Sequence, residues 1–273
     1  MIKATMAHTP RKRFGQNFLH DQGVIQRIVT AVNPQADQHL VEIGPGEAAI
    51  TRLLVKECRH LDVIEIDRDL APLVADTCGN PDNLTVHNAD ALKFDFCSLA
   101  TSGKLRVVGN LPYNISTPLL FHLLEQADCV ADLHVMLQKE VVERIAAPHG
   151  NKSYGRLSVA IQTRCRVQPL FTIGPGAFRP PPKIDSAVVR LVPDADKIAA
   201  IKDPVLFNRV LVSAFSMRRK TLRNALKKVA DATTLESCGI DPSLRAEQIP
   251  VEAFVSLANC LATKTNTDTT ENE

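Results

Sequence analysis

Apolar residues follow two alternating rhythms over the first two-thirds of the chain. Short runs at 40–43 (Leu-Val-Glu-Ile), 61–66 (Leu-Asp-Val-Ile-Glu-Ile), 84–87 and 105–108 (Leu-Arg-Val-Val) read as β-strands. Longer stretches with helical apolar spacing, such as 47–58 and 68–78, separate several of them. This alternation predicts βαβ units on a parallel sheet. A helix is expected over 116–126, where Ser116-Thr117-Pro118 offers a cap and an early proline, followed by a strand at 133–137 and a helix at 138–147. Gly174-Pro175-Gly176 and Pro180-Pro181-Pro182 break the pattern before a strand at 186–192.

Past Pro193-Asp194-Ala195-Asp196 only the helical rhythm remains, carried by Leu206, Val210, Leu211, Ala214 and Phe215 and again by Leu222, Ala225, Leu226 and Val229. The expected organisation is a basic arm over 1–20 packing on a Rossmann-like α/β domain at 21–193, then a small all-helical domain at 198–262. Residues 263–273, rich in Thr, Asn and Glu, have little to bury and are expected to form a disordered tail.

Composition narrows the class. Hydrophobic residues make up 45% and charged residues 23%, which rules out wholesale disorder. The formal net charge of +2 excludes a uniform basic coat, yet it resolves into +4 over 1–20, −3 over 21–197, +3 over 198–263 and −2 beyond. No apolar run approaches the ~18 residues of a membrane span, and the basic N-terminus lacks the apolar stretch of a secretory signal. A soluble, cytoplasmic protein without membrane contact is expected. The seven cysteines are never closer than nineteen residues and form no CxxC, so small core thiols are expected rather than disulfides. The eight histidines show no HExxH-like spacing, and no metal is expected.

Candidate chemistry gathers at the ends of the expected strands. Gly44-Pro45-Gly46 follows the first, and glycine there permits a tight turn and close backbone approach to a ligand. Alone it reads more readily as a plain turn. Nineteen residues on, Glu65 ends the second strand, placed to accept from ribose hydroxyls; Asp90-Ala91 follows the third and Asn110 the fourth. Four strands delivering turn or polar residues to one carboxyl edge predict a nucleoside-type cofactor. Glu47 puts a carboxylate where a pyrophosphate would sit on a helix N-terminus, and G-x-G-x-x-G is missing. A cationic sulfonium, S-adenosylmethionine, is therefore favoured over a nicotinamide dinucleotide.

Asn110-Leu111-Pro112-Tyr113 is the most specific short motif. An adenine amino group is a weak nucleophile because its lone pair is delocalised into the ring. An amide oxygen from Asn110 and the Leu111 carbonyl can accept its two hydrogens and hold the nitrogen in line with a methyl, with Tyr113 stacking on the base. An ordinary Asn-x-Pro turn is the alternative. Phe178, ahead of three consecutive prolines, is a candidate for the base's other face, the alternative being a core ring. A base reached this way is single-stranded or flipped out.

Taken together, the chain resembles the ribosomal RNA adenine dimethyltransferases. The shared blocks are Arg11 to Leu19 (Arg-Lys-Arg-Phe-Gly-Gln-Asn-Phe-Leu), Val41 to Gly46, Glu65-Ile66-Asp67, Asp90-Ala91, Asn110 to Pro118, Phe178 to Lys183 with Ser186, and Arg218 to Asn224. The small-subunit branch fits better than the large-subunit, resistance-conferring branch. The resemblance implies a Rossmann-like methyltransferase domain followed by a helical domain, working as a monomer on 16S rRNA of the small ribosomal subunit. The expected reaction is dimethylation of two adjacent adenosines in a hairpin loop near the 3′ end. An assembly role on the immature subunit is the alternative from another class. The resemblance further implies that Gln16, Asn17, Leu19, Gly44, Gly46, Glu65, Asp90, Ala91 and Asn110 hold S-adenosylmethionine, and that Asn110, Leu111, Tyr113 and Phe178 hold the adenine. Many members carry glycine where Ala48 stands; a methyl there suits a helical backbone and is strained at positive φ.

Six of the residues 218–228 are basic: Arg218, Arg219, Lys220, Arg223, Lys227 and Lys228. On a helix, Arg219, Arg223 and Lys227 share one stripe, with Leu222, Leu226 and Val229 turned inward. With the RNA-modifying resemblance, phosphate contact by Arg218, Arg219, Lys220, Arg223 and Lys227 is expected, assisted by Arg11, Lys12 and Arg13 on the arm.

Overall fold

Asp21 starts the first helix by accepting from the Val24 N–H, and Ile25, Ile28, Val29 and Val32 then recur on one buried face. Asn33 ends that helix in the left-handed region, φ 47°. The computed structural model describes residues 16–270, with side chains up to Lys264. In chain order its first unit contains β1 (Phe18–Leu19), α1 (Gln22–Val32), β2 (His39–Ile43), α2 (Thr51–Glu57), β3 (His60–Glu65), α3 (Ala71–Cys78), β4 (Leu84–Asn88), β5 (Leu105–Asn110), α4 (Ser116–Glu125) and β6 (Val130–Gln138). The chain continues through α5 (Lys139–Ala146) and β7 (Cys165–Ile173), each divided between the two units, with α6 (Arg156–Gln162) in the second, and then β8 (Phe178–Arg179) and β9 (Ser186–Pro193) in the first.

The main sheet has seven strands in the order β4-β3-β2-β5-β6-β9-β7. Strands β2 to β6 run parallel and β9 joins antiparallel to β6. Its central strands are buried on both faces and read as near-continuous Leu, Val and Ile. The strand order reverses between β2 and β5, so their carboxyl ends open a crevice of the kind that binds ligands in such sheets. A separate ribbon pairs β1 with β8 antiparallel, Phe18 opposite Arg179 and Leu19 opposite Phe178.

The chain divides into two compact units, 1–142 with 168–193, and 143–167 with 194–273. The segment 143–167, assigned by its position in the sequence to the first domain, thus clusters with the helical one. That unit holds α7 (Ala195–Ala199), α8 (Pro204–Ala214), α9 (Leu222–Ala225), α10 (Ala232–Ser237) and α11 (Val251–Thr270). Tyr154, from the early segment, packs edge-on to Phe215 and donates to the Ile249 carbonyl at 2.9 Å, which ties 143–167 to the later helices.

Several expectations need correction. The helix expected over 47–58 is a turn until Thr51, and Ser116 is the first helical residue rather than a cap, its hydroxyl donating back to the Tyr113 carbonyl. The tail expected from 263 is helical as far as Thr270, and its start is tied down by side chains: the Thr263 hydroxyl donates to the Asn259 carbonyl one turn back and Lys264 Nζ donates to the Ser237 hydroxyl. The continuous basic helix over 218–228 shrinks to the four residues of α9, because 215–220 form turns. Four of the seven cysteines pair rather than remaining core thiols: Cys97 with Cys129 and Cys238 with Cys260, Cα atoms 5.3 and 5.8 Å apart. These pairs are tertiary neighbours 32 and 22 residues apart in sequence, invisible to a search for short spacings. No helix among the described residues is long and apolar enough to cross a membrane.

Candidate active site

The carboxyl ends of β2, β3, β4 and β5 carry the groups singled out in the sequence. Gly44 and Gly46 leave β2 at φ 68° and 56°, the left-handed region open to glycine. A Cβ on Gly46 would lie 2.8 Å from the Phe18 ring, and one on Gly109 2.8 Å from the Ile43 carbonyl oxygen. Glycine at 46 and 109 therefore lets β1, β2 and β5 close on one another at the reversal point.

Glu65, at the end of β3, is buried and accepts the Asp67 N–H at 2.8 Å. Burial raises its pKa above the usual carboxylate range, while the N–H groups of Asp67 and Gly46 pull it back down. Gln16 donates to Asp67 at 3.0 Å, linking the N-terminal segment to the same corner. Past β4, the half-buried Asp90 accepts the Leu92 N–H at 3.0 Å, with Ala91 buried beside it.

Asn110 ends β5. Its amide nitrogen donates to the Asn17 carbonyl at 3.1 Å, which fixes which way its oxygen points. Leu111 is buried and its N–H donates to the Met136 carbonyl, locking the turn to β6. The Tyr113 hydroxyl shares a 2.6 Å hydrogen bond with Ser186 of β9. Gln16, Asn17, Phe18, Asn110, Leu111, Pro112 and Tyr113 together line a small cavity of about 50 Å³. The carboxyl ends of β3 and β4 also carry the carboxylates of Glu65 and Asp90, a setting that suits a cationic nucleoside better than a pyrophosphate.

Not every expected residue reaches this cleft. Phe178, expected to present its ring to a base, is 2% exposed and packs in the core. Its pairing with Leu19 across the β1–β8 ribbon holds the ring inward, and Leu19 is buried there too. In the second unit the six basic side chains from Arg218 to Lys228 are all exposed, Leu222 and Leu226 lie in the core and Val229 is half-buried; Arg218 also pairs with Glu247 at 3.5 Å. Arg11, Lys12 and Arg13 lie outside the described residues.

Three contributors escaped the sequence reading. Phe18 and Gly109 act by close packing at the crevice, and neither carries a polar group to flag it. Glu42 is fully buried beneath the glycine turn with one carboxyl oxygen unpartnered. Burial, with the Glu65 carboxyl adding to it, pushes its pKa up to about 7.

Ala48 occupies φ 59°, the strained case, with its methyl completely buried. A left-handed alanine costs about 1–2 kcal/mol, which a glycine would relieve. Against that stand the lost methyl burial, about 0.8 kcal/mol, and the greater unfolded-state entropy of glycine, roughly 0.4–1 kcal/mol. Ala48→Gly should therefore leave the thermal midpoint nearly unchanged. Ala48→Val, branched at positive φ in a filled core, should cost about 3 kcal/mol. Thermal denaturation of both variants checks this pair.

A reversal-point crevice with a glycine turn, a buried acid at the end of β3 and an Asn-Leu-Pro-Tyr corner define a Rossmann-like methyltransferase. The pattern of the ribosomal RNA adenine dimethylase family matches residues 7–263. The chain is 57% identical over 256 residues to the ribosomal RNA small subunit methyltransferase A of Pseudomonas aeruginosa, covering 93% of this chain and 96% of that protein. Against the protein of the same name from Nitrosococcus oceani it is 54% identical, with 93% and 96% covered. Among solved structures, a dimethyladenosine transferase from Plasmodium falciparum shares the fold with a TM-score of 0.80 at 24% identity, over 91% of this chain and 98% of that one. The 23S rRNA methyltransferase ErmE does so at 0.68 and 23%, over 90% and 100%. The chain belongs to the ribosomal RNA adenine dimethylase family.

Proposed function

We propose that this enzyme dimethylates the exocyclic amino groups of two adjacent adenosines in a hairpin loop near the 3′ end of 16S rRNA, in the cytoplasm and as a single chain. Asn110 carries this reading: with its amide nitrogen committed to the Asn17 carbonyl, its oxygen is left as a fixed acceptor at the carboxyl end of β5.

S-adenosylmethionine, when bound, supplies an electrophilic methyl on a sulfonium. The residues present suit it. Gly44 and Gly46 give backbone access, Glu65 offers a carboxylate to a ribose diol, and Asp90-Ala91 would meet the base, with Gln16, Asn17 and Leu19 closing the near side. On the acceptor side, the Asn110 oxygen and the Leu111 carbonyl would take the two amino hydrogens of adenine. That arrangement localises the nitrogen lone pair and aims it, an effect that grows as positive charge develops on the nitrogen. Tyr113, held by Ser186, would stack on the base. The exposed basic group 218–228 supports phosphate contact that positions RNA without reading sequence.

The test is transfer of tritiated methyl from S-adenosylmethionine to purified, unmodified ribosomal subunits. Label should enter the small subunit only and be recovered as N6,N6-dimethyladenosine. Label in the large subunit, or in neither, overturns the proposal.

A further inference from the structure

Away from the cleft, toward the amino ends of β2 and β3, three imidazoles surround one carboxylate. Asp62 is 3% exposed, at the centre of β3. Its Oδ2 lies 2.6 Å from His39 Nε2 and 3.6 Å from His60 Nε2, and its Oδ1 lies 2.5 Å from His87 Nε2. Sheet register makes the cluster: His39 stands opposite His60 on adjacent strands, Asp62 is two residues further along β3, and His87 sits on β4 opposite Ile64. Period-two alternation then turns all four side chains to one face. The His39 and His60 rings meet edge to face, centroids 5.1 Å apart, and Thr85 Oγ1 lies 3.2 Å from His60 Nε2.

A carboxylate this deep needs a cation close by. Its ion-pairing partners are imidazoles, which supply positive charge only by taking protons; a divalent ion supplies it with the imidazoles neutral. The donor atoms of His39, His60 and Asp62 all lie within 4.8 Å of one another. Ligands around a tetrahedral zinc ion, with bonds of about 2.0–2.2 Å, stand roughly 3.4 Å apart. The His60–Asp62 spacing already matches, and the His39–Asp62 contact need open by less than 1 Å to match. His60 and His87 side chains are 31% and 27% exposed, which leaves an entry path from solvent.

We infer that His39, His60 and Asp62 form a binding site for one zinc-class divalent transition-metal ion, with His87 holding the second carboxylate oxygen of Asp62 in place. Two imidazoles and a carboxylate are donors of the softness such ions take, and a water completes four-coordination. The role is structural: the ion fastens β2 to β3 toward the strand ends opposite those bearing the cleft. The inference does not rest on the reaction proposed above.

The test uses tag-free full-length protein, zinc competition against a chromogenic chelator, and Co2+ as a spectroscopic probe. One ion should bind per chain, with visible cobalt bands typical of low coordination number and a thermal midpoint raised by several degrees. His60→Asn and His39→Gln should each weaken binding at least tenfold, and His87→Gln by a similar factor through Asp62. Wild-type affinity in both His60→Asn and His39→Gln overturns the inference. So do a cobalt–thiolate charge-transfer band, which would place the ion on cysteine, and featureless cobalt spectra. Should a variant fail to fold, the wild-type stoichiometry and cobalt spectrum decide.

Discussion

Replacing Asn110 by alanine should lower the rate of methyl transfer by about 10²–10³-fold, the loss typical when one placed transition-state hydrogen bond is removed. The deficit should appear in single-turnover labelling of the small subunit, with subunit affinity nearly intact. The side chain contributes two separable things. In the proposed reaction its oxygen would accept from the amino group, while its nitrogen, on the Asn17 carbonyl, holds that oxygen still. Asn110→Asp keeps an acceptor but loses the donor, and sets a carboxylate against a carbonyl, so it should fall between wild type and alanine. A rate within tenfold of wild type for Asn110→Ala would remove the amide oxygen from the mechanism.

A second large effect concerns stability. Glu42 has a folded-state pKa of about 7 against an unfolded value of 4.5. A raised pKa means that the folded state binds its proton more tightly. The stabilising contribution is complete below the unfolded value and is lost as pH climbs through the folded one. Wild type should lose about 3 kcal/mol relative to Glu42→Gln between pH 4.5 and 8. Denaturant unfolding of both proteins across that range measures the difference, in which groups common to the two cancel. A difference that does not change with pH would mean that Glu42 ionises as readily folded as unfolded.

The parallel strands, the crevice and its polar residues were legible because each strand is a short buried run ending in a recognisable turn or polar residue. The edge strand β7 was not: Arg166, Gln168 and Pro169 break its apolar rhythm, and only an edge position tolerates that proline. Phe178 misled because a ring before three prolines looks displayed, whereas β1, some 160 residues earlier in the chain, covers it. The histidines around Asp62 and the two disulfides had no short spacing to reveal them, since strand register and tertiary packing assemble them. The basic segment was read correctly as solvent-facing but wrongly as helical, since its leucines recur at helical spacing whether or not the intervening backbone is a turn.

The β1–β8 ribbon has a consequence for the order in which the molecule is made. Asn17, which positions Asn110, is held beside a strand whose partner ends at Arg179. Closing that loop costs chain entropy that no local contact offsets in advance. A nascent chain emerging from the ribosome can therefore build β2 to β6 while the Asn17–Asn110 corner stays unassembled. Phe18 and Leu19, synthesised long before their partners, take their place only after residue 179 has left the exit tunnel. Competence for methyl transfer is thus coupled to near-completion of the first unit, and fragments ending short of β8 should fold as sheets without a working cleft.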